Sequence, residues 1–175
     1  MFFGRRRKNC GDADADSLFV AAADGDLAEV KQLVVNCGID PNIQDDFGNT
    51  PLHRAAQSGH LDVVKLLLEH GADPTIQNDD GDTPLHAAAS EGHLNVVKLL
   101  LEHGANPNIQ NNNGNTPLHL AARRDYCVIV RLLLEHGADP TIRNNNGITP
   151  LDYGSDCGEF REMLRRRSGG TTVYE

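Results

Sequence analysis

Eight histidines are the residues in this chain with the most chemistry to offer, and their spacing decides what that chemistry is. Imidazole can ligate a metal or move a proton near neutral pH. The eight fall into three sets: His53, His86 and His119; His60 and His93; His70, His103 and His136. Within each set, successive members stand 33 residues apart. Equivalent side chains on stacked helices lie about 8–10 Å apart, whereas zinc holds its ligands about 2 Å from itself. One set therefore does not converge on one metal, and neither metal nor cofactor is expected.

Other chemistry is absent or unsupported. The nucleophile, metalloprotease and phosphate-loop patterns Gly-x-Ser-x-Gly, His-Glu-x-x-His and Gly-x-x-x-x-Gly-Lys-[Ser/Thr] do not occur. Ser17, Ser58, Ser90, Ser155 and Ser168 have no base at a recognisable spacing. The many carboxylates fall in turn-like segments, without the walled pocket that catalysis needs. No enzyme activity is expected. The four cysteines, Cys10, Cys37, Cys127 and Cys157, are never closer than 27 residues and form no Cys-x-x-Cys pair. They read as four free thiols, with Cys127 a buried, inert one.

Composition narrows the partner. The chain has 175 residues, 39% hydrophobic and 5% aromatic with no tryptophan, which suits a core of aliphatic and alanine contacts. Net charge is −9. Residues 1–10 carry four bases and no acid, residues 161–175 carry four arginines and two glutamates, and the 150 residues between carry 23 acids against 8 bases. An acidic body repels phosphate backbones, so nucleic acid is not expected as a ligand. No run of 18 apolar residues exists, and the start lacks the apolar stretch of a secretory signal. The expected compartment is cytoplasmic, with the nucleus or a host-cell cytosol as alternatives.

The elements that position these residues are set by repetition. Thr-Pro-Leu-His stands at Thr50–His53, Thr83–His86 and Thr116–His119, and Thr-Pro-Leu-Asp at Thr149–Asp152. Leu-Leu-Leu-Glu-His-Gly-Ala ends at Ala72, Ala105 and Ala138. Each unit reads as helix, turn, helix, extended turn. Thr50 caps the first helix and Pro51 occupies its first position, where a missing N–H costs nothing. The segment Leu52–Ser58 is about two turns, too short to stand alone in water. Gly59 supplies a left-handed stop. The second helix, Leu61–His70, places Leu61, Val64, Leu67 and Leu68 on one stripe, and Gly71 ends it. Asn78-Asp79-Asp80-Gly81, Asn111-Asn112-Asn113-Gly114 and Asn144-Asn145-Asn146-Gly147 are turn chemistry. No unit can bury its own apolar face, so the units must stack.

These motifs resemble the ankyrin repeat family over about Asp16–Leu164. The resemblance implies an all-α solenoid, a stack of helix-turn-helix units with projecting β-hairpin loops. It also implies that the first histidine set hydrogen-bonds turns and backbone of neighbouring units. The expected organisation is a tail at 1–15, an N-capping repeat at 16–47, full repeats at 48–80, 81–113 and 114–146, a C-capping partial repeat at 147–167 and a tail at 168–175. Two departures stand out. Gly25 and Gly38 are 13 residues apart against 12 for Gly59 and Gly71, which places an insertion near Asn36-Cys37. The third full repeat has Asp125-Tyr126 where its siblings have Gly-His.

Family members bind proteins through hairpin tips and the inner, concave helices, so positions that break the repeat are the candidate contacts. At the tips these are Asp46, Phe47 and Asn49; Asp79, Asp80 and Asp82; Asn112, Asn113 and Asn115. At the ends of the inner helices they are Gln57 and Ser58, Ser90 and Glu91, Arg123 and Arg124. Phe47 is the one large apolar side chain at a tip, either an anchor or folded back on its own hairpin. The expected role is a protein-protein interaction module, an adaptor, scaffold or inhibitor. The expected partner is another protein with a basic surface, bound by a chain that is monomeric alone and does not insert into membranes. A tether with basic ends, a regulatory subunit and a secreted effector are the alternatives.

Overall fold

The computed structural model describes residues 15–153. The expected basic tails and the second helix of the C-terminal unit lie outside those residues. Inner helices α1 (Ala15–Asp24), α3 (Pro51–Ser58), α5 (Pro84–Glu91) and α7 (Pro117–Arg123) pack in sequence, followed by a 3-10 turn at Pro150–Tyr153. Outer helices α2 (Leu27–Lys31), α4 (Leu61–Glu69), α6 (Leu94–Glu102) and α8 (Cys127–Glu135) form the second layer.

The short inner helices α3, α5 and α7 survive because each is capped and then covered. Thr50 sits extended at the N-cap of α3, and the His53 N–H donates to its hydroxyl at 3.4 Å. Gly59 closes the helix at φ +80°, and the next N–H, of His60, donates to the Ala55 carbonyl at 3.0 Å. Leu18, Leu52, Leu85 and Leu118 fill the inner layer, and Leu67, Leu100 and Leu133 the outer one, all fully buried. Alanine pairs such as Ala55-Ala56 and Ala88-Ala89, also fully buried, let neighbouring inner helices approach.

The outer stripe differs by one position from the sequence expectation. Val63, Val64, Leu67 and Leu68 are buried, while Leu61 is 36% exposed. Leu61 is the first residue of α4, and side chains lean toward a helix's start, so it projects past the core. Val20 of α1 is likewise exposed.

The inserted residue near Asn36-Cys37 has a concrete form. After α2 the helix continues as a π-helix over Gln32–Cys37 before Gly38 ends it at φ +74°. A wider turn absorbs one extra residue without displacing the next unit. Asp125 adopts φ +57°, the only non-glycine residue with positive φ among the described residues. Its carboxylate makes no hydrogen bond among them. Left-handed backbone is costly for any residue with a Cβ, so Asp125→Gly is expected to raise stability by about 0.5–1 kcal/mol. Urea unfolding of the two proteins checks this, and a lower midpoint for the glycine variant would reject it.

The cysteine expectation is corrected. Cys37 and Cys127 are both disulfide-bonded, and Cys127 is exposed, not buried. Cys127 opens α8, the register of half-exposed Leu61 and Leu94, which puts its sulfur at the surface.

Candidate protein-binding surface

The projecting arms are built from the turn sequences upward. Each closes with a main-chain pair, Asn78 N–H to the Asp82 carbonyl at 2.9 Å and Gly81 N–H to the Asn78 carbonyl at 2.8 Å in the second arm. The Asn78 side chain also accepts from the N–H groups of Asp80 (3.0 Å) and Asp82 (2.9 Å). These are turn loops with no strand among the described residues.

Adjacent arms are fastened to each other. The Asp79 N–H donates to the Phe47 carbonyl (3.1 Å), Asn112 to Asp80 (2.9 Å) and Asn145 to Asn113 (3.1 Å). Side-chain amides of Asn112 and Asn145 reach back to the carbonyls of Asp79 and Asn112, each at 2.8 Å. A second row of amides, Asn78, Asn111 and Asn144, donates to the side-chain oxygens of Asn49 (2.9 Å), Asp82 (2.8 Å) and Asn115 (2.9 Å).

The candidate tip residues thus fall into two groups. Asn49, Asp82 and Asn115 hold the arms together, and Asn115 is buried. Asp46, Phe47, Asp79, Asp80, Asn112 and Asn113 face solvent. Phe47, 67% exposed, stands off its hairpin, directly beside Asp79. At the inner-helix ends, Gln57, Ser58, Glu91, Arg123 and Arg124 are exposed. Ser90 is half-buried, and its hydroxyl donates to the Ala87 carbonyl (3.3 Å) and to the Glu91 carboxylate (3.1 Å).

Sequence reasoning missed the pair Arg54 and Asp45. The Arg54 Nε and Nη2 both donate to Asp45 Oδ2, at 3.1 and 2.5 Å. Burial works against the Asp45 carboxylate, but the Arg54 hydrogen bond and those from the Phe47 and Asn49 N–H groups outweigh it and hold its pKa below the usual value. The signal was available. Asp45 stands where other units have Asn78, Asn111 and Asn144, and Arg54 where they have Ala87 and Leu120. Both break the repeat, yet only together do they fix the first arm against α3.

The histidines are structural. Thr50 N–H and hydroxyl both donate to His53 Nδ1 (3.0 and 2.8 Å), and His53 Nε2–H donates to the Asp82 carbonyl of the next unit at 3.0 Å. His86 repeats this toward Asn115 and His119 toward Ile148. Desolvation by burial pushes all three below the ordinary histidine pKa. His60 and His93 donate from Nε2 to the carbonyls of Ala23 (2.9 Å) and Gln57 (3.0 Å) in the preceding unit. Tyr126 takes that position in the last full repeat and packs its ring on Gly92. Among the described residues no three His, Cys, Asp or Glu side chains group to hold a metal ion, and no helix is long and apolar enough to cross a membrane.

A sequence model described as ankyrin repeats (3 copies) matches residues 18–111, and one described as ankyrin repeats (many copies) matches residues 100–153. The chain belongs to the ankyrin repeat family. Ankyrin repeats are protein-protein interaction modules, and the layered helix pairs with their laced arms are how this ankyrin chain presents its surface. It is similar to the mitochondrial liver isoform of glutaminase from Mus musculus, 46% identical over 46 residues. The same isoform from Rattus norvegicus is 44% identical over 46 residues. Those segments cover 26% of this ankyrin chain and 8% of either relative, so the chain matches under a tenth of their length.

Proposed function

We propose that this ankyrin array is an adaptor or inhibitor that captures a partner protein bearing a basic, partly apolar segment. That segment lies across the first two arms. One observation carries the reading. Asp46, Phe47, Asp79 and Asp80 are exposed side by side, and the three carboxylates make no side-chain hydrogen bond or ion pair among the described residues. Their backbone is nevertheless locked by the arm-to-arm bonds. A surface already ordered loses little freedom on binding, and unpaired carboxylates around an aromatic ring suit lysine or arginine beside an apolar residue. Farther along, Arg123 and Arg124 give the inner face the opposite sign, which fixes the direction in which a bipolar partner lies.

The test is charge reversal of Asp46, Asp79 and Asp80 to lysine together, leaving Asp82 intact because it accepts from Asn111. The helical circular dichroism spectrum is expected to stay unchanged. The proteins retained by the natural array from its native source, identified by mass spectrometry, are expected to drop at least about tenfold on the variant, with added salt weakening the natural capture. Equal retention by both proteins rejects the reading.

A further inference from the structure

We propose that Asn146 is a spontaneous deamidation site of the folded protein, while the chemically identical Asn113 is shielded by the arm stacked on it. Both asparagines precede glycine, in Asn113-Gly114 and Asn146-Gly147, both are exposed, and neither side chain makes a hydrogen bond among the described residues. An asparagine followed by glycine offers the least hindered attack of a main-chain nitrogen on a side-chain amide, because glycine has no Cβ to crowd the ring that forms.

The chemistry is complete with water alone. The Gly147 nitrogen loses its proton and bonds to Cγ of Asn146, and the Cγ–Nδ2 bond breaks. The side-chain nitrogen leaves as ammonia, giving a five-membered imide. Water then opens either carbonyl, leaving aspartate or its β-linked isomer. The net change is one amide exchanged for one carboxylate.

The folded turns oppose this step unequally. In both, the glycine N–H is held, Gly114 by the Asn111 carbonyl and Gly147 by the Asn144 carbonyl, each at 2.8 Å. The turn must open to free that nitrogen and swing it toward Cγ. For Asn113 the opening also breaks contacts to the next arm. Its carbonyl, on the same peptide unit as the attacking nitrogen, accepts from Asn145 N–H at 3.1 Å. The neighbouring Asn112 carbonyl accepts from the Asn145 amide at 2.8 Å. Gly114 is buried, and a Cβ there would meet the Asn145 backbone nitrogen at 2.6 Å. For Asn146 none of this exists among the described residues. Among the described residues its carbonyl accepts nothing, and Gly147 is exposed with none of their atoms within 4 Å of where a Cβ would stand. The product also fits, since the second arm carries a carboxylate, Asp80, at the same position before Gly81.

The full chain is incubated folded at 37 °C and mildly alkaline pH, digested with trypsin and followed by mass spectrometry, fragment ions locating each gain of one mass unit. Asn146 is expected to convert about tenfold faster than Asn113, the factor that two net hydrogen bonds carry. In denaturing urea the two rates are expected to converge, since sequence alone then governs. Equal rates in the folded chain overturn the proposal, as does conversion of neither site while both convert in urea. Asn146→Asp supplies the charge-shifted product as a chromatographic standard, and a folded sample that never yields a species matching it or its isomer also counts against the site.

Discussion

Replacing His86 with alanine is expected to cost about 3 kcal/mol of unfolding free energy. The side chain is fully buried and closes three contacts at once, accepting from the Thr83 N–H (3.1 Å) and hydroxyl (2.9 Å) and donating to the Asn115 carbonyl at 3.0 Å. Removing it orphans buried groups on two adjacent units, each worth about 1–3 kcal/mol, and opens a cavity between them. Urea unfolding at neutral pH measures the loss, and a change under about 1 kcal/mol would show that the units do not depend on this bridge.

The same geometry fixes the sign of the acid response. Nδ1 of His53, His86 and His119 accepts a hydrogen bond from a threonine N–H, so a proton placed there would point at another donor. Burial lowers each folded-state pKa below the unfolded value of 6.5. The unfolded chain therefore binds more protons than the folded one once pH drops below 6.5. The stability these groups contribute is complete above 6.5 and is lost progressively as pH falls toward the lowered folded values. Melting temperatures measured from pH 7.5 down to 5 should decline over that window, and the decline should be shallower in the His86 variant.

Leu100→Ala is expected to cost about 3–4 kcal/mol, within the range for a fully enclosed leucine. Leu100 is the central member of the buried outer-layer set Leu67, Leu100 and Leu133. In a stack whose stability is a sum of units and their interfaces, a void at the middle weakens both neighbouring contacts. Leu61→Ala supplies the contrast, at under about 1 kcal/mol, because Leu61 stays 36% exposed. Near-equal losses for the two would contradict the assignment of the outer helices' buried face.

The helices, caps and left-handed stops were readable because their causes are local. Thr50-Pro51 and Gly59 each act within a turn or two of chain, and the 33-residue step repeats those same local signals along the array. Even Asp125 was legible, since only glycine should stand there. What stayed hidden is whatever depends on two units at once. That Asn49, Asp82 and Asn115 serve as acceptors for the next arm, while Asp46, Asp79 and Asp80 stay free, follows from how arms overlap, which no single repeat reveals. The Arg54–Asp45 pair was hidden for the same reason, its two halves being innocuous separately. The bonded state of Cys37 and Cys127 escaped because nothing in the motifs around them marks a pair.

The loops on the outer side hold a last consequence. Asn42 donates to the Gly71 carbonyl and accepts from the Asp73 N–H, and Asn108 does the same with Gly137 and Asp139. Thr75, at the corresponding place between them, bonds only to Asp73 of its own loop. Rivets thus alternate with a bare seam along the outer edge. Separating the outer loops there breaks two fewer hydrogen bonds, each worth about 0.5–1.5 kcal/mol net, than at the riveted junctions on either side.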